Sequence, residues 1–349
     1  MLRTEQLANH FKMISSRLRT FRGIIQTLLL CHGCRLKDFA AGIQGNANLD
    51  SKIKSVTRFL SGNHIAEDDF IMFVSRFIPD GKIALAIDRT IWEFGKEIRN
   101  VLVLAVSFDK IAMPVMFTII PYKGASTGED QVEILDRFIK SYGKNNIKVV
   151  TADREFDNKR FIKYLGKQGI NFAVRLKKNS RVTIGKAHQI RLQKLPGILR
   201  NYQTSIYGVA AKLDHKRLVS GEFLSVVSSL SSENGFDLYR RRWDIESAFK
   251  ACKSAGFRME ETNLRNSHRL KNYIKCIFIA FAITIKAGYL ANKKKAIKVK
   301  TTLKCKAYSL VQYGIRTIKS AFSRSRAEFM KLIFAIIRHR YGRQDLFVR

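Results

Sequence analysis

The sequence predicts an α/β protein: a mixed sheet with a β-rich insertion, flanked by helical regions at both ends. Three observations point there. Residues 1–80 carry apolar positions at helical spacing, with no strand-like run. From 82 onward, β-rich runs separated by short polar connections alternate with two amphipathic helical stretches. Beyond 237 the pattern returns to helices and ends in a strongly basic tail.

Within 1–80, FRGIIQTLLL and SVTRFL repeat apolar residues at three and four. The stretch LKDFAAGIQG, the Gly/Asn-rich NANLD and then SKIKSVTRFLSG read as helix, turn and second helix, the latter opened by Asp50 or Ser51 as N-cap. That is the outline of a helix-turn-helix, and Lys52, Lys54 and Arg58 on its second helix suit contacts to DNA ends. A plain helical hairpin in a basic protein accounts for the same pattern.

Next come KIALAID, VLVLAVSF and MPVMFTII as three consecutive strands. STGEDQVEILDRFIKSYG is a helix, NIKVVTAD a buried strand, DNKRFIKYLGKQG a helix and INFAVRLKK a fifth strand. Three strands, helix, strand, helix, strand is the order of a ribonuclease H-like core. The domain reading is therefore a helical DNA-binding region over 1–80, a catalytic core over 81–177 and 237–290, a β-rich insertion over 178–236 holding Pro196 and several Gly, and a basic helical region over 291–349.

Charge bounds the partner. The 349-residue chain has 64 Lys+Arg against 28 Asp+Glu, a formal charge of +36, so a polyanion is expected and nucleic acid is the first choice. Sixteen Lys and Arg between 293 and 349 face only Glu328 and Asp345, which gives the tail phosphate-contacting potential. The longest apolar run, CIFIAFAITI at 276–285, is short for a bilayer and reads as a buried helix, so no membrane partner is expected. No secretory signal is visible at the N-terminus, and five Cys without framework spacing suit a reducing cytoplasm. Cys31 and Cys34 have zinc-like spacing, but no second pair completes four ligands, and two half-buried helix thiols are the simpler reading.

Candidate chemistry lies in three acids. ALAIDRT and VVTADREF each end a strand in aspartate, Asp88 and Asp153, with small neighbours that leave room for a ligand. The third is Glu246 in YRRRWDIESAFKACK. On a helix advancing about 100° per residue from Tyr239, Arg242, Glu246 and Lys253 fall within an arc of roughly 60°. Ile245, Phe249 and Cys252 form the edge that would pack on the sheet. Phosphodiester cleavage by water or a 3′-hydroxyl suits two divalent cations, and carboxylates are the ligands that hard cations take. Tyr239, Arg242 and Lys253 would then grip DNA phosphates. The plain alternative makes Glu246 a surface partner of Arg242 and Lys250 at i, i+4 spacing, which leaves the two aspartates unexplained.

The spacing Tyr239, two residues, Arg242, three residues, Glu246, six residues, Lys253 resembles the signature of bacterial insertion-sequence DDE transposases of the insertion sequence four family. TADREF is similar to that family's segment around its second aspartate, with Glu155 in place of a small residue, and AIDRT to its first-aspartate strand. The resemblance covers about 82–290. It implies a ribonuclease H-like fold, Asp88, Asp153 and Glu246 as catalytic metal ligands, and Mg²⁺ or Mn²⁺ as cofactor. It further implies nicking of transposon ends, joining of the 3′-hydroxyl to double-stranded target DNA, a dimer assembled on DNA, and a bacterial cytoplasmic protein at the nucleoid. Some relatives excise through a DNA hairpin and stack an insertion aromatic on a flipped base. Here the two Trp, Trp92 and Trp243, lie outside the insertion, leaving Tyr202 or Tyr207 for that role. The competing classes are a transposase-derived DNA-binding protein that no longer cuts, and another ribonuclease H-like nuclease such as a junction resolvase.

Overall fold

The computed structural model describes residues 10–339 except 95, 96, 186, 187, 196, 231, 263 and 303, with backbone alone at 97, 254 and 255. Calls on residues 1–9, on Pro196 and on 340–349, Asp345 included, lie outside the described residues. The chain divides into two compact units, one of residues 1–79, 92–99 and 249–342, the other of 80–91, 100–248 and 343–349.

The first unit is mainly helical. Helices α1 (Ser15–Leu29), α2 (Leu36–Ala41), α3 (Leu49–Ser61) and α4 (Glu67–Ser75) hold the N-terminal part. Helix α3 is capped neither by Asp50 nor by Ser51 but by Asn48, whose side-chain oxygen accepts the Ser51 N–H at 2.9 Å. The cap moves upstream because Leu49 already adopts helical backbone, so Asp50 falls in the first turn, where its charge favours the helix dipole.

The same chain carries on, after the second unit, into a long helix and the C-terminal part. The apolar run at 276–285 is the middle of a 28-residue helix, Ser267–Lys294, which we label α9 in chain order after the eight α-helices among the described residues up to 250. By length and composition α9 could cross a membrane, and 89 % of its apolar stretch is buried inside the protein. After it comes a two-stranded ladder, Val299–Lys300 with Cys305–Lys306, which the helical reading of this region did not anticipate. Helices α10 (Leu310–Arg324) and α11 (Arg326–Arg338) follow. Helices α9 and α10 meet backbone to backbone: a Cβ on Gly288 would lie 2.0 Å from the Leu310 carbonyl oxygen, and one on Gly314 2.0 Å from that of Thr284. Only glycine permits that approach.

The second unit is built on a sheet. Strands β1 (Ile83–Phe94), β2 (Glu97–Phe108) and β3 (Ile111–Ile120) are followed by α5 (Gly128–Tyr142), β4 (Ile147–Ala152), α6 (Lys159–Gln168) and β5 (Phe172–Arg175). Then come β6 (Arg181–Ile184), β7 (His188–Arg191), β8 (Leu199–Ile206), β9 (Val209–Arg217) and β10 (Phe223–Ser228), and the helices α7 (Gly235–Arg240) and α8 (Trp243–Lys250). The spatial order is β3-β2-β1-β4-β5-β10-β9-β8-β6-β7. Strands β2 and β3 are antiparallel, while β1 with β4 and β4 with β5 are parallel, the arrangement of a ribonuclease H-like mixed sheet. The insertion does not stand apart from it, since β10 pairs antiparallel with β5 through Val226 and Arg175 and continues the sheet. The β-branched and aromatic residues of β4, β5 and β10 explain why they sit centrally: Val149, Val150, Phe172, Val174, Val226 and Val227 are fully buried.

Three expectations change. Asp88 does not end its strand, because the β-prone residues Thr90, Ile91, Trp92 and Phe94 extend β1 past it. The stretch 239–253 is not one regular helix. It breaks at Arg241 and Arg242 between α7 and α8 and passes into a π-helical turn at Ala251–Ala255, so an even 100° step does not describe it. Cys31 and Cys34 follow α1 rather than lying on a helix, and both are free thiols.

Candidate active site on the parallel strand pair

Ladder register brings the two aspartates together. Ile87 pairs with Ala152 across the parallel strands β1 and β4, so Asp88 and Asp153 are the next residues on each. Strand β4 stops at Ala152 and a 3₁₀ turn, Arg154–Phe156, follows directly. Asp153 therefore lies at the carboxyl end of a central strand, where open α/β sheets place ligands.

The helix pair α7 and α8 supplies the remaining groups. Asn234 caps α7 by accepting the Phe236 N–H at 2.9 Å, and Phe236, Leu238 and Tyr239 pack with Ala84, Val149, Ala173 and Val226 on the sheet. That packing leaves Tyr239 only 3 % exposed and directs its hydroxyl to Asp153 Oδ1, to which it donates at 2.9 Å. At the break between the helices, Arg242 is 4 % exposed and its guanidinium spans two acids. Nη1 donates to Asp88 Oδ2 at 2.9 Å and Nη2 to Glu246 Oε1 at 2.8 Å. The same guanidinium lies over the Tyr239 ring, 5.4 Å from its centroid. Helix α8 is held from its other side by Asp244, which accepts a short hydrogen bond of 2.5 Å from the Ser107 hydroxyl on β2.

Electrostatics follow from this arrangement. Burial pushes the Asp88 carboxyl up to about 6; Arg242 and the Arg89 backbone N–H oppose the shift, and the charges of Asp153 and Glu246 add to it. Burial works against the charged form of Arg242, yet Tyr239, Asp88, Glu246 and Asp153 together raise its pKa above the ordinary value. Tyr239 is raised by burial and by Asp153, with Arg242 opposing. Five groups on four elements thus form one charge-coupled network.

Of the residues singled out in the sequence, Asp88, Asp153, Tyr239, Arg242 and Glu246 come together. The Tyr239 hydroxyl and both Nη atoms of Arg242 point at carboxylates. Lys253 lies in the other unit, in the π-helical turn, with its Nζ 3.7 Å from Glu260 Oε1. Lys52, Lys54 and Arg58 also belong to that unit, on α3, where Lys54 and Arg58 are exposed and Lys52 half-buried. Tyr207, in the tight turn between β8 and β9, donates its hydroxyl to the buried Asp157 at 3.0 Å, and Tyr202 is half-buried on β8. Trp243 is 55 % exposed at the start of α8, and Trp92 is fully buried.

Two further residues face the acids and were not picked out in the sequence. Arg175, which ends β5, has Nη1 3.8 Å from Asp153 Oδ1. The signal was a lone cation closing the buried strand FAVR, whose Val174 is in register with Ala152. Arg89, directly after Asp88, is ion-paired with Glu155 at 2.9 Å.

A divalent metal is the group this donor set suits. Among the described residues no three His, Cys, Asp or Glu side chains are gathered closely enough to form a metal cage as they stand. Yet Asp88, Asp153 and Glu246 offer carboxylate oxygens, the donors that hard cations prefer; Asp88 and Glu246 share the buried Arg242 guanidinium and Asp153 faces Arg175, so the place favours positive charge. The residues fit the group in kind.

Comparison with known proteins gives the following. The sequence profile of the family described as "Transposase DDE domain" matches residues 80–283. No curated protein matches the chain in sequence. Among solved structures it is similar to a piggyBac transposase synaptic complex with hairpin DNA, determined by cryo-EM, at 13 % sequence identity and a TM-score of 0.49, over 93 % of this chain and 72 % of that one.

Proposed function

The chain belongs to the transposase DDE domain family, and from that premise we propose that it is a metal-dependent DNA transposase whose catalytic acids are Asp88, Asp153 and Glu246. Its kinship within the family is proposed to be with the insertion sequence four group, on the Tyr239, Arg242, Glu246, Lys253 spacing. One observation carries the reading: the single guanidinium of Arg242 joins Asp88 on β1 to Glu246 on α8, 158 residues away, while Asp153, beside Asp88 in the β1–β4 register, is bonded by Tyr239.

Asp88, Asp153 and Glu246 would hold Mg²⁺, with Mn²⁺ as substitute. When bound, such ions lower the pKa of the attacking water or 3′-hydroxyl and stabilise the leaving oxygen of the phosphodiester. The chain's own residues do the rest. Tyr239 orients the Asp153 carboxylate by donating to Oδ1, leaving Oδ2 for a ligand. Arg242 fixes one oxygen of Asp88 and one of Glu246, which sets the separation of strand and helix and lowers the repulsion among three acids. Arg175, beside Asp153, adds positive charge where a phosphate would approach. Lys253 contacts DNA phosphates, and Lys52, Lys54 and Arg58 contribute to binding the element's ends in this reading. The partner is double-stranded DNA, both transposon ends and target, held by a dimer at the bacterial nucleoid. The overall charge of +36 supports it.

The test is cleavage of labelled DNA carrying the element's own ends, in Mg²⁺ and in EDTA, by wild type, Asp88→Asn, Asp153→Asn and Glu246→Gln. Metal-dependent 3′-hydroxyl ends made by the wild type and lost in all three variants are the expected result. DNA binding without cleavage in Mg²⁺ or Mn²⁺ would overturn it in favour of a DNA-binding protein that no longer cuts. Cleavage that ignores the inverted ends but requires branched DNA would favour another ribonuclease H-like nuclease.

A further inference from the structure

Beyond the acids and the groups that touch them lies a second buried polar network, and it begins one residue past Asp88 and two residues past Asp153. Arg89 follows Asp88 and its backbone N–H donates to Asp88 Oδ1 at 2.8 Å. Glu155 is two residues beyond Asp153. The Arg89 Nε donates to both oxygens of Glu155, at 3.0 and 2.9 Å, with each side chain less than one-fifth exposed. Arg89 Nη1 donates to Asn100 Oδ1 on β2 at 2.9 Å, and Asn100 Nδ2 donates in turn to the carbonyls of Tyr122 and Gly124 at 2.8 and 3.0 Å. Glu155 Oε1 also accepts the Ser126 N–H at 2.8 Å and the Ser126 hydroxyl at 2.6 Å. Behind Ser126, the buried Gln131 donates to its hydroxyl at 3.0 Å and accepts from Asn158 Nδ2 at 2.7 Å.

The location gives this network a task. Up to Ile87 and Ala152 the β1–β4 ladder fixes the distance between the two strands. One residue later β4 has ended and the chain turns into the 3₁₀ segment. Nothing in the ladder then holds Asp153 against Asp88. The Arg89–Glu155 pair spans that gap, joining the backbone just past one aspartate to the backbone just past the other. Its flanking bonds to Asn100 and Ser126 lock the exposed loop 121–125 to the same frame. Glu155 is also unfit to be a fourth ligand, because Oε1 accepts three hydrogen bonds and Oε2 faces the Arg89 donor.

We infer that Glu155, with Arg89, is a positioning residue that sets the Asp88–Asp153 separation on which binding of a divalent cation depends. The inference rests on the transposase reading for the identity of the ligand acids. The planar guanidinium suits the role because its Nε–H is shared by both Glu155 oxygens while Nη1 is held by Asn100, which fixes direction as well as distance. Neither residue touches the reacting atoms.

The experiment compares full-length wild type, Asp88→Asn, Glu155→Gln and Arg89→Lys by Mn²⁺ titration, following free Mn²⁺ by electron paramagnetic resonance, and by single-turnover cleavage with the DNA concentration varied. Expected for Glu155→Gln is about a 10-fold or greater loss of Mn²⁺ affinity and a 10- to 100-fold fall in the cleavage rate constant, with half-saturating DNA unchanged, the range that groups behind metal ligands command. Arg89→Lys keeps the charge but not the rigid plane that reaches Glu155 and Asn100 together, and the same loss is expected; it also stands in should Glu155→Gln fail to fold. Mn²⁺ affinity and rate within about 2-fold of wild type for a folded variant would overturn the positioning role, since outer groups of this kind show larger effects. Failure of the underlying reading looks different: it shows in the wild type, as Mn²⁺ binding no tighter than that of Asp88→Asn and no cleavage of element ends.

Discussion

Arg242 and Asp88, 154 residues apart in the chain, meet at 2.9 Å with the arginine side chain 5 % exposed and the aspartate 18 %. The contact joins a central strand to the start of α8 and is the most buried ion pair of the site. Removing its cation leaves a desolvated carboxylate with the Arg89 backbone N–H as its remaining partner. Arg242→Gln is expected to cost about 3 kcal/mol at pH 8. The loss should be smaller at pH 5, where the Asp88 carboxyl, raised to about 6, is already protonated and needs the cation less. Urea denaturation of both proteins at the two pH values, with EDTA present, checks this; equal losses at both would contradict it.

Glu246 is the opposite case. It meets the same guanidinium, but its side chain is 58 % exposed. Glu246→Gln is expected to change stability by less than about 0.5 kcal/mol, as for other exposed pairs, while abolishing metal-dependent cleavage. A thermal melt and a cleavage assay on one preparation separate the two effects. A large drop in melting temperature would recast Glu246 as a structural residue.

The α9–α10 crossing makes a stability prediction unrelated to chemistry. Because a Cβ on Gly288 would meet the Leu310 carbonyl oxygen at 2.0 Å, and that atom is backbone, the helices must separate to admit it. Gly288→Ala is expected to destabilise by about 3 kcal/mol or more, at the upper end for overpacking. Denaturant midpoints decide; a stabilised variant, the usual result of Gly→Ala in an open helix, would show that the crossing yields.

His215 on β9 gives a pH dependence. It is fully buried, its Nδ1 lies 2.8 Å from the Ser225 hydroxyl, and its ring stacks on Phe223 with centroids 4.8 Å apart. Burial lowers its pKa from 6.5. The unfolded chain therefore takes up a proton near pH 6.5 that the folded chain refuses until lower pH. The contribution to stability is complete above 6.5 and is lost as pH falls from there through the folded value. His215→Gln should remove that loss. Between pH 7.5 and 5 the wild type should fall relative to the variant with a slope of up to about 1.4 kcal/mol per pH unit, the limit for one proton. Parallel stability curves would show that His215 is protonated in both states alike.

Much of the fold was readable because period and composition speak locally. The strands β1 to β5 and helices α5 and α6 follow from their apolar runs, whereas the caps Thr127 and Asn158 emerge from the structure. The acids were legible as carboxylates beside small residues on those strands. What local pattern does not carry is where regular geometry stops. The break at Arg241 and Arg242 arises from tertiary demand: Tyr239 must face Asp153 while Ile245 faces the core, and one even helix does not meet both. The orientation of Tyr239 and Arg242 toward carboxylates was equally hidden, because a charge stripe on a helical wheel shows which residues share a side and not what lies opposite. Glu155 was visible as a departure from the family segment, but its pairing with Arg89, 66 residues away, was not, because only strand register brings the two together.

The pairing of β10 with β5 has a consequence for how such chains tolerate change. The segment from 176 to 222 extends the sheet outward from Arg175, and the chain returns to pair beside it, Val226 opposite Arg175. Its entrance and exit are therefore anchored neighbours, whatever the excursion between them contains. Residues added or deleted at the far rim, in the outermost strands β6 and β7, do not shift the point where α7 begins. The outlying strands form a cassette whose size can drift while Asp153 and Tyr239 keep their appointment at 2.9 Å.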